Sequence, residues 1–144
     1  MDDMYTGYME MNPGMAWDYG SHQSHKPMHE SHKPMHERLV CIIQNCEAVC
    51  EHMTTHLKKK PDVQMRTRQL MLLRDCADIC GLTAKFVARN SMFARHCAHL
   101  CAMICEVCGN ECARFPDAES QHCAQICLHC ARECRDFAGM SHMM

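Results

Sequence analysis

Apolar side chains recur at intervals of three and four residues through most of the chain after residue 37. This period is typical of helices that each bury one face. Because the connections are short, consecutive helices are expected to be antiparallel neighbours. The pattern therefore predicts an all-α fold, an antiparallel up-down-up-down four-helix bundle. Its predicted helices cover about residues 37–60, 62–89, 91–115 and 117–138.

The predicted boundaries coincide with residues that stop or cap a helix. Pro61 and Pro116 stop the first and third helices, and the second ends at Asn90. Ser91 and Asp117 are predicted N-caps, because their side-chain oxygens accept hydrogen bonds from the free N–H groups of a first turn.

Cysteine occupies the face that leucine normally fills in such helices. Thirteen of the fourteen cysteines keep a helical spacing, with gaps of four and three between close neighbours. At about 100° per residue, those of the third segment stay within a sector about 80° wide and those of the fourth within about 60°. The predicted core cysteines are Cys46, Cys50, Cys76, Cys80, Cys97, Cys101, Cys105, Cys108, Cys112, Cys123, Cys127, Cys130 and Cys134.

In the second segment, thiols and ordinary apolar side chains share one face. The charged side chains of the segment are predicted to lie mostly off that face; they are Arg66, Arg68, Arg74 and Asp75. The predicted buried face consists of Met65, Leu72, Leu73, Cys76, Ile79, Cys80, Thr83 and Val87.

A core lined with thiols is less stable than one lined with leucine, because each thiol buries less apolar area. The difference in the free energy of unfolding is on the order of 1 kcal/mol per site. One buried cysteine needs no function, since it behaves as a small hydrophobe. A long stripe of them calls for a chemical role. Disulfides, zinc or iron–sulfur ligation, and Cu(I) binding are the alternatives.

Two of these alternatives fit the spacing poorly. Disulfides are typical of small, loop-rich secreted domains, whereas these cysteines lie in periodic helices and face many partners at once. Zinc and iron–sulfur sites need about four convergent ligands, usually on knuckles or loops. Here C-x2-C occurs only at Cys105-Cys108 and Cys127-Cys130, each inside a longer helical series.

Cu(I) fits the spacing better, because this soft ion accepts two or three thiolates. Residues four apart lie about 6 Å from each other along a helix axis, so one C-x3-C pair can close on one ion. An isolated bis-thiolate site would carry a net negative charge in a low-dielectric core, whereas bridging thiolates approach one copper per sulfur and a neutral interior. Many ions per chain, near the cysteine count, are therefore expected. The C-x3-C pairs are Cys46/Cys50, Cys76/Cys80, Cys97/Cys101, Cys101/Cys105, Cys108/Cys112, Cys123/Cys127 and Cys130/Cys134.

These helices resemble the bacterial copper storage proteins, a cysteine-rich family of four-helix bundles. The resemblance covers about residues 40–137 and lies in LLRDCADIC at 72–80, CAMICEVC at 101–108 and CAQICLHCAREC at 123–134. It implies a pool of Cu(I) held inside the bundle for sequestration or supply. It also implies association into homotetramers, with proteins that donate or accept copper as candidate partners.

Residues 1–37 differ in composition and are predicted to form a mobile Met/His-rich arm, which leaves residues 38–144 for the bundle. The heptad SHKPMHE occurs twice in tandem, at 24–30 and 31–37. Its prolines exclude one continuous helix, and the segment cannot bury enough apolar surface to offset its ordering entropy. Either this is only a mobile arm, or its thioethers and imidazoles capture copper. The arm is not part of the family pattern.

Three further sulfur-bearing residues are candidate ligands at the edges of the core. Cys41 lies about 140° from Cys46 on an ideal helix. It either serves at a subunit contact or a frayed bundle end, or is an exposed free thiol. Met53 and Met65 are predicted on core faces at one end of the bundle, as packing residues or as ligands of peripheral copper sites. The histidines mostly lie off the cysteine stripes and are predicted to be solvated.

Charge and composition exclude some classes of partner. The formal net charge is −2 and the basic run Lys58-Lys59-Lys60 is explained as a helix C-terminus, so nucleic acid is not expected. No stretch approaches the roughly 18 consecutive apolar residues of a membrane span. No secretory leader is recognisable, which favours the cytoplasm, although an exported form with its leader removed would look the same.

An enzyme is not predicted. Di-iron sites in bundles need inward-facing Glu and Glu-x-x-His, which the cysteine-bearing faces lack. The large number of equivalent thiols is also more typical of a protein that binds many ions than of an enzyme with one activated nucleophile. The sequence predicts a protein that binds and stores many Cu(I) ions. The alternatives are a thiol/disulfide redox buffer and a zinc or iron–sulfur module.

Overall fold

The computed structural model describes residues 36–139. The predicted arm lies outside this range except for its last two residues, so its separation from the bundle stays a prediction. Within the described range the chain forms helices and no strand. The elements are α1 Glu37–Lys58, a 3₁₀-helix Val63–Arg66, α2 Thr67–Ala88, α3 Ala94–Cys112 and α4 Ala118–Gly139.

The four α-helices form a ring in which each packs against the next and α1 packs against α4. Neighbouring helices run antiparallel: the Thr83 hydroxyl of α2 contacts the Cys97 thiol of α3, whereas Cys76, earlier in α2, contacts Cys105, later in α3. The predicted up-down-up-down bundle is confirmed. None of the helices within residues 36–139 has the length and apolar character that a membrane span requires.

The structure at Asn90 explains why α2 ends close to this residue, as the sequence predicts. Asn90 adopts the left-handed conformation with φ 53°, which its short polar side chain tolerates. Its N–H donates to the Val87 carbonyl at 3.1 Å, and the Ser91 N–H donates to the Phe86 carbonyl at 2.9 Å. This pair of bonds is a Schellman motif, which satisfies carbonyls that the helix leaves free.

The two predicted N-caps differ in outcome. Asp117 caps α4, because its Oδ2 accepts a hydrogen bond from the Ser120 N–H at 3.0 Å. Ser91 does not cap α3: its Oγ accepts from the Phe93 N–H at 3.1 Å within a turn, and the helix begins at Ala94. The third helix is therefore shorter than predicted, by three residues at each end.

The connection between α1 and α2 departs from the sequence prediction. An α-helix from residue 62 was expected, but the 3₁₀-helix over Val63–Arg66 has three residues per turn and changes the phase of the side chains. Met65 is consequently 79% exposed, so its predicted place on a core face is wrong. Arg66, predicted mostly off that face, is only 4% exposed.

Small side chains bring the helices close enough for their thiols to meet. Ala98 and Ala102 of α3 and Ala124 and Ala131 of α4 are buried at the helix contacts. At Gly109 of α3 a Cβ would lie 2.8 Å from the Leu128 Cγ, so only glycine allows this approach.

The two ends of the core differ in polarity. The end near the start of α1 is closed by apolar side chains, those of Leu39, Val40, Ile43, Val87 and Phe137. At the opposite end the buried polar side chains of Arg66, Gln69 and Ser120 lie beside the buried apolar side chains of Met53 and Leu57. The thiols fill the length between these two closures.

Candidate metal centre

Twelve cysteine side chains are buried between the four helices. Each helix contributes buried cysteines for the same reason, because residues three and four positions apart lie on the same face of a helix. All twelve belong to the predicted stripes, and the thirteenth member, Cys97, is only partly buried. The buried thiols are Cys46, Cys50, Cys76, Cys80, Cys101, Cys105, Cys108, Cys112, Cys123, Cys127, Cys130 and Cys134.

The sulfur atoms of different helices lie within reach of a shared metal ion. The Sγ atoms of Cys76 and Cys105 are 3.5 Å apart, those of Cys50 and Cys127 are 3.6 Å apart, and those of Cys108 and Cys127 are 4.0 Å apart. With metal–thiolate bonds of about 2.3 Å, the value for zinc, three sulfurs around one ion would lie roughly 4.0 Å apart. The observed separations suit three-coordinate thiolate ligation with little movement.

Several sulfurs belong to more than one potential site. Three groups of buried thiols each keep all their Sγ atoms within 4.8 Å of one another. Cys46 is a member of two of these groups, and so is Cys130. A sulfur shared between sites is what a bridging thiolate requires. The groups are Cys46, Cys50, Cys76, Cys127; Cys46, Cys80, Cys105, Cys130; and Cys101, Cys130, Cys134.

The close sulfur contacts divide the thiols into proton donors and acceptors. The contact between Cys101 and Cys105, at 3.8 Å, lowers the pKa of the Cys101 thiol and raises the pKa of the Cys105 thiol. The contact between Cys108 and Cys112 likewise lowers the pKa of Cys108 and raises that of Cys112. Burial opposes ionisation at all four. A soft cation entering this core must therefore displace protons, so its binding strengthens as the pH rises.

All fourteen cysteines lie in the part of the chain that the structure describes, and all are free thiols. The profile of the Csp family, described as copper storage protein, matches residues 31–139. The chain belongs to the copper storage protein family.

Solved structures of family members share the fold of this copper storage protein. The Cu(I)-bound copper storage protein BsCsp3 of Bacillus subtilis is 34% identical, with a TM-score of 0.68 over 71% of this chain and 96% of that one. The copper storage protein Ccsp of Streptomyces lividans, loaded with 10 copper equivalents, is 27% identical, with a TM-score of 0.69 over 72% of this chain and 83% of that one.

A cysteine-rich protein of Bacillus subtilis, described as uncharacterized, is also similar. It is 36% identical over 70 residues, which make up 49% of this chain. The matched stretch spans 65% of that relative, slightly less than two thirds of its length.

The edges of the core hold the remaining candidate ligands. The Cys97 thiol lies 3.1 Å from the Thr83 hydroxyl, at the apolar end. Met53 is buried, and it lines a surface groove with His52, Glu119 and His122. The exposed Met65 has no place in the thiol core.

Cys41 is an exposed thiol in the single chain, which is one of the two interpretations that the sequence left open. It lines a surface groove of about 200 Å³ between α1 and α4 together with Asn45 and His129. This groove lies on the outside of the bundle, because Cys41 and the buried Cys46 point to different faces of α1.

Polar groups gather at the end of the bundle opposite Cys97. His56, Asp117 and Glu119 place one ligand atom each within 4.8 Å of the others. Burial acts to raise the pKa of Asp117, but hydrogen bonds from Ser120 and the adjacent Arg66 guanidinium outweigh it and lower that pKa overall. The carboxylate is already engaged by Arg66, at 3.0 Å.

Sequence reasoning missed the buried polar side chains at this end. Arg66 and Gln69 lie three residues apart, and Gln69 is seven residues before Cys76. That spacing places Gln69 on the cysteine face of α2 and was the available signal. Ser120 lies three residues before Cys123, a spacing that also places it on the cysteine face of its helix, α4.

Proposed function

We propose that this protein binds and stores many Cu(I) ions through the thiolates that line its bundle. The observation that carries the proposal is the sharing of Cys46 and Cys130 between overlapping groups of sulfurs. Shared sulfurs allow bridged copper, which keeps the buried charge near zero as ions accumulate. Soft thiolates select Cu(I) over harder ions. The likeness to a Cu(I)-bound protein and to one loaded with 10 copper equivalents supports the same conclusion.

The proposed ligands are the twelve buried cysteines together with Cys97 at the apolar end. Met53 is proposed as a packing residue able to serve a peripheral site at the polar end, because its thioether is buried there. Cys41 can act only outside the core. The role is storage and not catalysis, because equivalent thiols repeated along the bundle provide capacity and no single activated group.

We infer that the protein is cytoplasmic and that its bundles associate into a homotetramer. The likeness to a Streptomyces lividans protein described as cytosolic supports the location, as does the need to keep thiols reduced. Leu100, Met103 and Val107 of α3 are 47%, 52% and 43% exposed. They share one face of the helix, and such a stripe suits contact with another bundle. Proteins that deliver or receive copper are the other proposed partners.

Metal and thiol analysis of the protein as purified tests the proposed function. Anaerobic purification from copper-supplemented cells should yield protein with several copper ions per chain and only trace zinc or iron, because thiolate sites favour Cu(I). After copper is removed with a chelator, about fourteen free thiols should be counted, the number of cysteines in the sequence.

Two outcomes would oppose the proposal. Stoichiometric zinc or iron would indicate a zinc or iron–sulfur module. Copper-free protein with far fewer reactive thiols, restored by a disulfide reductant, would indicate a redox buffer.

A further inference from the structure

The polar closure of the bundle is in direct contact with the thiol core. The Gln69 amide donates to the Cys112 Sγ at 3.5 Å and to the Ser120 Oγ at 3.0 Å. The Arg66 guanidinium donates to the Gln69 Oε1 at 3.1 Å and to the Ser120 Oγ at 3.2 Å. These three polar side chains form a layer at the end of the core, and the hydrogen bond from Gln69 joins this layer to the Cys112 sulfur.

Residues nearer the surface hold Arg66 in this layer. Its Nε donates to the Asp62 Oδ2 at 3.0 Å, and its terminal nitrogen lies 3.0 Å from the Asp117 Oδ1. The guanidinium carbon also lies 4.2 Å from the centre of the Phe115 ring. These partners hold the buried guanidinium in one position. Arg66 is the last residue of the short 3₁₀-helix over Val63–Arg66, so a movement of this segment moves the side chain with it.

The two ends differ in what their opening exposes. Opening the apolar end exposes side chains such as Ile43 and Val87 to water, at roughly 25 cal/mol per Å². Met53 is buried at the opposite end as well, but displacing Arg66 there exposes groups that water can bind in place of their protein partners. In the closed state the hydrogen-bonded Arg66 side chain obstructs the path of an ion toward Cys112, and its charge is offset by the two carboxylates that it contacts.

We propose that Arg66, Gln69 and Ser120 form a gate for copper at the Cys112 end of the core. The proposal rests on the storage function and adds the side chains that control exchange. With the gate closed, the hydrogen-bonded layer of these three side chains obstructs the passage of Cu(I). When Arg66 withdraws with its 3₁₀-helix, Cys112 becomes the first thiol that an entering ion meets.

Copper exchange in the full chain carrying Arg66→Leu tests the gate. Leucine removes the charge and all the donors and, unlike methionine, adds no sulfur that binds Cu(I). Loading from a Cu(I)–chelator complex and removal by excess chelator should both be faster by about tenfold, which corresponds to ~1.4 kcal/mol. The number of ions held at saturation should stay unchanged. Arg66→Lys keeps the charge, and its rates should lie between those of the other two proteins.

Val87→Ala is the matched control at the opposite end, because it loosens the apolar closure and leaves every thiol in place. The proposal requires that Arg66→Leu accelerates exchange more than Val87→Ala does, with each variant measured equally far below its own unfolding temperature. Equal acceleration in the two variants, or wild-type rates in Arg66→Leu, would overturn the gate. A low saturation count in the wild-type protein would instead overturn storage itself, so the two failures can be told apart.

Discussion

Saturation with Cu(I) should raise the thermal unfolding temperature of this protein by about 20 °C or more. An ion that binds only the folded chain stabilises it by ~4.1 kcal/mol at a free concentration 1,000 times its Kd. Each kcal/mol shifts the midpoint of a domain of about 100 residues by roughly 4–8 °C. Several ions bound in one core should therefore produce a large shift. Calorimetry or circular dichroism of apo and loaded protein measures it.

The variant Cys41→Ser is the control for this shift. It removes the thiol that lies outside the core, so the rise on loading should be the same as in the wild-type protein. Equal unfolding temperatures for apo and loaded wild-type protein would mean that copper does not bind between the helices.

Replacing Cys101, Cys105 and Cys108 together by alanine should lower the copper capacity by about three ions per chain. Each bridging thiolate supports about one ion, so the loss should follow the number of sulfurs removed. Cys101 and Cys105 each contact Cys80, at 3.8 and 3.6 Å, which places the deletion in the centre of the sulfur network. Competition with a chromophoric Cu(I) chelator counts the ions.

The variant Ile43→Val serves as the control, because it changes a fully buried core residue and removes no sulfur. Its capacity should match that of the wild-type protein. Helical circular dichroism must first show that the triple variant is folded. Unchanged capacity in a folded triple variant would place the copper elsewhere, for instance on the Met/His-rich segment that lies outside the described residues.

Helical geometry explains why most of the bundle could be predicted. Cysteines separated by three and four residues share a helix face, so the burial of Cys123 and Cys127 followed from spacing alone. Asn90 marked a helix end because its preference for the left-handed conformation is local. Such features depend on a few adjacent residues and not on the rest of the chain.

Features that depend on contacts between helices were harder to predict. Met65 was placed on the core face by continuing an α-helical period through a segment that is 3₁₀-helical. The burial of Arg66 depends on Asp117 and Ser120, more than fifty positions away in the sequence. Which sulfurs meet across the core, such as Cys76 and Cys105, depends on helix register, which spacing within one helix does not determine.

An anaerobic titration of the reduced protein with Cu(I), in competition with a chromophoric chelator, tests copper storage in the thiol core most directly. The structure predicts about one ion per cysteine of the helical stripes, which number thirteen. The same titration of a chain that begins at Glu37 measures any share held by the preceding segment and should retain most of the count. A saturation of one or two ions would contradict storage in the core and leave the protein at most a carrier of copper.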